Sequence, residues 1–143
     1  MPSKITGQCY CGATRIKAAS NPLTVAYCHC ADCRRASGAP VAAFAAFPED
    51  LVEITSEKVA VAAPNPGVRR AFCSACGSPI WSSYDYIPGQ IYVSLGLLDQ
   101  AADLAPKLHA HADERLTWLH IDDKLDRIEG SSRDTLNAST GSE

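Results

Sequence analysis

The seven cysteines of the chain fall into three short groups, Cys9-x-Cys11, Cys28-x-Cys30-x-x-Cys33 and Cys73-x-x-Cys76. Each group can bend its backbone so that two or three sulfurs face one point, as a tetrahedral zinc with thiolate ligands requires. The set divides into four plus three. Four thiolates close a zinc shell and make it structural, which assigns Cys9, Cys11, Cys73 and Cys76 to a metal that holds the fold. Three leave one position free, so Cys28, Cys30 and Cys33 are the candidate catalytic ligands of a second zinc. A zinc with three thiolates carries a net charge near −1 and activates water poorly. It is better suited to an incoming thiol, from which it removes a proton otherwise held to a pKa of about 8.5. A thiolate at neutral pH is a nucleophile toward carbonyl carbon, so the expected chemistry is formation or cleavage of a carbon–sulfur bond.

Other uses of the cysteines fit less well. A secreted disulfide framework is opposed by the odd count and by a start, Met1 to Thr6, with no apolar signal core. Iron–sulfur ligation would need a remote fourth thiolate, and the middle spacing matches neither common ferredoxin pattern. Cys73-x-x-Cys76 does not open a helix in a βαβ unit, as a redox pair would. The outer pairs are each followed by glycine, Cys11-Gly12 and Cys76-Gly77, which lets the backbone curl until amide N–H groups point at sulfur. Their flanking strands are expected to pair in one sheet around the metal. A zinc site closed in this way supplies on the order of 10 kcal/mol, against a net domain stability of roughly 5 to 15.

Around the middle group, His29 is a candidate fourth ligand or proton carrier. Alternation along an extended stretch turns it away from Cys28 and Cys30 and favours a packing or supporting role. His109, His111 and His120 are remote candidates for the open position, and Arg34 or Arg35 could meet a substrate carboxylate. Trp81, Tyr84 and Tyr86 read as core or rim.

The 143 residues, 46% hydrophobic, suffice for one domain with a real core. A net charge of −3 without a basic run argues against nucleic acid. No stretch approaches the about 18 consecutive apolar residues of a membrane span, and reduced cysteines point to the cytoplasm. The pattern is mainly β, a single domain of short antiparallel strands with one or two short helical turns. Strands are expected over Thr14–Ala18, Leu23–Tyr27, Pro40–Phe47, Leu51–Thr55, Val68–Phe72, Pro79–Tyr84 and Gln90–Leu95, the last with Ile91, Val93 and Leu95 on one face. Asp32–Ser37 is expected to make a single helical turn before Gly38-Ala39-Pro40, and Leu97–Leu104 a second short helix. Asp113–His120 is left open between helix and strand. Residues 1–130 form the domain, and 131–143, poor in apolar residues, read as a disordered tail.

Three segments, Gly7-Gln8-Cys9-Tyr10-Cys11-Gly12, Tyr27-Cys28-His29-Cys30-Ala31-Asp32-Cys33-Arg34-Arg35-Ala36-Ser37-Gly38-Ala39-Pro40 and Phe72-Cys73-Ser74-Ala75-Cys76-Gly77-Ser78, in this order, resemble the glutathione-dependent formaldehyde-activating enzyme family. That domain family is shared with centromere protein V. The resemblance spans roughly residues 5 to 130 and implies a zinc-bound β-tent fold. It implies a structural zinc at Cys9, Cys11, Cys73 and Cys76 and an active-site zinc at Cys28, Cys30 and Cys33. The implied activity is a carbon–sulfur lyase that interconverts S-(hydroxymethyl)glutathione with glutathione and formaldehyde, the partners being a small thiol and an aldehyde. The alternative is a non-catalytic zinc module for protein binding, with the second site empty or completed by one of the remote histidines.

Overall fold

The computed structural model describes residues 4–132. Eleven strands and one α-helix follow in chain order: β1 (Ile5–Gln8), β2 (Arg15–Ala18), β3 (Thr24–Cys28), α1 (Ala31–Ser37), β4 (Ala42–Pro48), β5 (Val52–Thr55), β6 (Val59–Asn65), β7 (Val68–Cys73), β8 (Pro79–Tyr84), β9 (Gln90–Ser94), β10 (Leu108–Ala110) and β11 (Asp126–Arg127). They form a three-stranded sheet in the order β1-β2-β5 and an eight-stranded sheet in the order β11-β10-β3-β4-β9-β8-β7-β6. All pairings are antiparallel except those of β10, which runs parallel to both β3 and β11. The mainly β, single-domain expectation holds, and the seven expected strands are all present.

The main core lies where the two sheets meet. Ile5, Ile16 and Ala18 of the small sheet pack with Val25, Ala45, Phe47, Ala71, Ile80, Ile91 and Val93 of the large one. The central strands β4 and β9 are buried on both faces. Ala45, Phe47, Ile91 and Val93 face the small sheet, while Ala46 and Tyr92 join Ile87 in a second cluster, with Phe44 and Tyr84 packed against it. The period-2 alternation of β9 therefore puts Ile91 and Val93 in the core, as expected, and frees Tyr92 for the opposite face. That face carries the candidate site.

Elsewhere the boundaries shift for local reasons. α1 covers Ala31–Ser37 rather than one turn from Asp32, because Cys30 caps it by accepting from Cys33 N–H and Gly38, at φ 74°, closes it by donating to Arg34 O. Leu97–Leu104 is not one helix but parts of two 3₁₀ turns, Leu95–Leu97 and Ala101–Asp103. The open segment contains only the 3₁₀ turn Ala112–Glu114. Of the expected tail, residues 133–143 lie outside the described residues. Ser132 is buried, with its hydroxyl 3.4 Å from Tyr92 Oη.

One glycine fixes how the small sheet docks. Gly7 of β1 bridges Leu98, and a Cβ built on it would stand 2.4 Å from the Leu97 carbonyl oxygen. Because that neighbour is backbone, no rotamer change relieves the clash. Gly7→Ala is expected to cost about 1–3 kcal/mol, read as a lowered Tm in thermal unfolding.

Candidate metal centres

The first centre joins two turns from different sheets. Cys9 and Cys11 sit in the β1–β2 turn of the small sheet, Cys73 and Cys76 in the β7–β8 turn of the large one. The expectation that their strands pair in a single sheet is corrected here: the sulfurs meet across the sheet-to-sheet junction. Both turns have the same build. Gly12 and Gly77 each adopt φ 81°, and their N–H groups donate to Cys9 O and Cys73 O. Tyr10 N–H donates to Ser78 Oγ at 3.0 Å and clamps one turn to the other.

The four sulfurs lie within 4.8 Å of one another and can hold a metal ion. Cys9 Sγ is 3.6 Å from Cys11 Sγ, which is 3.8 Å from Cys73 Sγ. Thiolates about 2.3 Å from one zinc stand about 3.8 Å apart at the corners of a tetrahedron, so the donor set fits that metal. The surroundings favour the thiolate at Cys76 and Cys9 and oppose it at Cys11, where the Ala13 backbone hydrogen bond is outweighed by desolvation and the three neighbouring sulfurs, which raise the pKa to about 11. The Ser78 hydroxyl and backbone hold the Cys76 thiol down to about 5. At Cys9, burial works against the thiolate, but the Thr14 N–H at 3.3 Å and neighbouring sulfurs outweigh it and lower the pKa.

The second centre is built at one strand-to-helix junction. Cys28 ends β3, Cys30 caps α1 and Cys33 lies in its first turn, so a short spacing brings three sulfurs together. Among the described residues no histidine, carboxylate or fourth cysteine joins the group. Cys28 Sγ donates to Cys30 Sγ at 3.4 Å and Cys33 N–H donates to the same sulfur at 3.3 Å. These bonds, led by that from Cys28, bring the Cys30 thiol down to about 2 and push Cys28 far up. At Cys33 the bond with Cys28 lowers the pKa, but Cys30 and burial prevail and raise it to about 11. Binding a metal through all three sulfurs releases the protons they hold, so its affinity rises with pH.

A cleft of about 280 Å³ opens in front of these sulfurs. Phe44, Val68, Arg70, Tyr84, Tyr86, Ile87 and Tyr92 line it, with His111 and Glu114. A second cleft of about 630 Å³ shares Cys33, Phe44 and Arg70 with the first and adds Arg35 and Trp81. Arg70 of β7 lines both clefts with Cys33, whose thiolate its charge favours, and lies 5.8 Å over the Tyr84 ring. Arg34 instead donates from Nε to His29 O at 3.3 Å, binding the helix to the cysteine loop. Sequence reasoning passed over Arg70, although its place three residues before Cys73 on a strand, at even spacing from Val68, was the available signal.

His29 is turned away from the sulfurs, as the alternation predicted. It is fully buried, and its Nε2 lies 2.8 Å from His109 Nδ1. His109 Nε2 in turn lies 3.0 Å from the Asp123 carboxylate. A carboxylate only accepts, so His109 donates from Nε2 to Asp123, and its Nδ1 shares one proton with His29 Nε2. His109 is thus occupied, not a ligand of the open cluster, and Tyr27 stacks on its ring at 4.7 Å. The hydrogen bond from His109 holds Asp123 down to about 2. His111 stands beside the cluster with φ 52° and pairs with Glu114 at 3.6 Å.

Comparison with known proteins gives one consistent assignment. The family model described as glutathione-dependent formaldehyde-activating enzyme matches residues 4–114. A Halomonas elongata protein that carries the provisional name glutathione-dependent formaldehyde-activating enzyme is 25% identical over 130 residues, spanning 84% of this chain and 82% of its own length. An uncharacterized lyase of Schizosaccharomyces pombe is 31% identical over 78 residues, 54% of this chain and 56% of that protein. A Rhodobacter sphaeroides protein of known crystal structure shares the fold, with a TM-score of 0.56, 17% identity, and coverage of 86% of this chain and 99% of that one.

Proposed function

Because the chain belongs to the glutathione-dependent formaldehyde-activating enzyme family, we propose that it is a zinc-dependent carbon–sulfur lyase acting on the adduct of a small thiol, glutathione or a similar one, with an aldehyde. The observation that carries this reading is the difference between the two centres. One has four convergent sulfurs and the other three, with a cleft in front of them. Cys9, Cys11, Cys73 and Cys76 would hold a structural zinc, and Cys28, Cys30 and Cys33 a second, active-site zinc. When bound at the second centre, zinc supplies the pull that converts a coordinating thiol into a thiolate at neutral pH.

The reaction joins thiol and aldehyde into a hemithioacetal. The sulfur lone pair forms the C–S bond, the carbonyl π pair moves to oxygen, and that oxygen takes up one proton; cleavage is the reverse. The protein holds the reactants together and sets the local charge. Arg70 offsets the negative charge that gathers at Cys33 and beside it. The larger cleft, which reaches Cys33 and carries Arg35 and Arg70, has the size and the cations to receive the body of an acidic thiol such as glutathione. His29 is not the proton donor to the alkoxide, since its Nε2 is engaged with His109 and its ring does not join the three sulfurs. Water entering the cleft supplies that proton.

The non-catalytic module would leave the second centre empty or close it with a protein ligand, and the three-sulfur group has no such ligand among the described residues. Seven free cysteines accord with a reducing compartment such as the cytoplasm, and no helix among the described residues is long and apolar enough to cross a membrane. The test is the rate of hemithioacetal formation from glutathione and aldehyde above the uncatalysed background. Acceleration by the zinc-loaded protein supports the lyase; a rate equal to background with two zinc ions bound refutes it.

A further inference from the structure

Resting on the lyase reading, we infer that the carbonyl compound taken at the Cys28–Cys30–Cys33 centre carries an apolar alkyl or aryl group of several carbons rather than being a one-carbon aldehyde. The cleft before the sulfurs encloses about 280 Å³. A one-carbon aldehyde fills little more of it than a water molecule, whose share of liquid volume is about 30 Å³. The remaining space is walled largely by rings. Phe44 stands edge-on to Tyr92 at 6.4 Å, Tyr84 edge-on to the same ring at 5.7 Å, and Tyr86 tilted on Tyr84 at 5.6 Å.

The polar ends of these tyrosines are already tied to serines. Tyr84 Oη donates to Ser82 Oγ at 3.0 Å, Tyr92 Oη lies 3.4 Å from Ser132 Oγ, and the Tyr86 hydroxyl is hydrogen-bonded to Ser131. What the rings offer a ligand is therefore mainly carbon, extended by Val68 and Ile87. Of the charged side chains of the cleft, Asp32 belongs to α1, Glu114 accepts from Ala31 N–H at 3.2 Å, and Arg70 lies 5.8 Å over the Tyr84 ring. The cleft is thus polar beside α1 and Arg70, and apolar along Phe44, Val68, Ile87 and Tyr92, where a substituent would extend. Water against those rings is released by an apolar substituent, at about fourfold in affinity per buried methylene.

The experiment compares formaldehyde, butanal and benzaldehyde with glutathione and the zinc-loaded protein, each rate divided by the uncatalysed rate of the same pair, so that intrinsic electrophilicity cancels. Butanal and benzaldehyde should be accelerated at least about tenfold more than formaldehyde, and Val68→Phe, which fills the cleft, should cut that preference by about tenfold. Formaldehyde accelerated as much as the larger aldehydes overturns the inference and leaves the lyase reading standing. A preference unchanged in a folded, zinc-replete Val68→Phe protein also overturns it. If no aldehyde is accelerated, the lyase reading fails, and titration with benzyl alcohol decides the cleft separately. Saturable NMR shifts of the Tyr84 and Tyr92 rings uphold an apolar ligand there; no saturable shift removes it.

Discussion

Cys73→Ser is expected to leave the chain largely unfolded at room temperature, whereas Cys30→Ala should fold, melt within a few degrees of wild type and retain one zinc instead of two. The contrast follows from where each centre sits. The four-sulfur centre ties the β1–β2 turn of one sheet to the β7–β8 turn of the other, and Cys73 is completely buried at that junction. Among the described residues the Tyr10–Ser78 hydrogen bond and the Cys11–Cys73 sulfur contact also link the two turns. A structural zinc contributes on the order of 10 kcal/mol, comparable with the whole net stability of a domain, so losing one ligand removes a decisive term. The three-sulfur centre lies within one continuous segment, and α1 keeps its Gly38 closure without the Cys30 thiol. Zinc analysis and calorimetry on both proteins check this; equal losses of Tm would show that the two centres do not divide the work in this way.

His109→Ala should destabilise the protein by roughly 3 kcal/mol, the largest effect expected away from the cysteines. The ring it removes stacks on Tyr27 and hydrogen-bonds fully buried His29, so the change opens a cavity and strands a buried ring nitrogen. The same chain of contacts makes part of the stability depend on pH. The folded pKa of Asp123, held to about 2 by His109 and then by the Leu125 N–H and Arg127, lies below its ordinary value of 3.8. A depressed carboxyl contributes stability that is present above its unfolded pKa and lost as pH falls through the folded one. Urea unfolding should thus show a loss between about pH 4 and pH 2 that is smaller in Asp123→Asn. An identical acid profile in both proteins would mean that the carboxylate is not engaged.

The cysteine groups were legible in the sequence because a tetrahedral donor set imposes a local spacing, and the glycines after Cys11 and Cys76 marked the turns that the left-handed φ requires. Strands β7, β8 and β9 were legible because β-branched and aromatic residues alternate between turn signals. What escaped depends on long-range register. The alanine-rich β6 and the Gly7-containing β1 lack a clear alternation, and β10 and β11 are too short to stand out. The approach of His29 to His109 depends on the parallel pairing of Tyr27 with His109 across β3 and β10, which neither segment encodes alone. Arg70 and Cys33 line the same clefts although three strands lie between β3 and β7 in the sheet, a closeness that no local pattern encodes.

The central claim is that the Cys28–Cys30–Cys33 centre keeps a position for an incoming thiol, and cobalt substituted for zinc tests it most directly. Titration with glutathione should change the ligand-field spectrum of one of the two cobalt ions in wild type, with an apparent affinity that rises with pH until the free thiol is itself ionised, because binding releases its proton. In Cys30→Ala the remaining cobalt should be indifferent to glutathione. A wild-type spectrum unmoved by thiol at any pH, with both centres filled, would contradict the account.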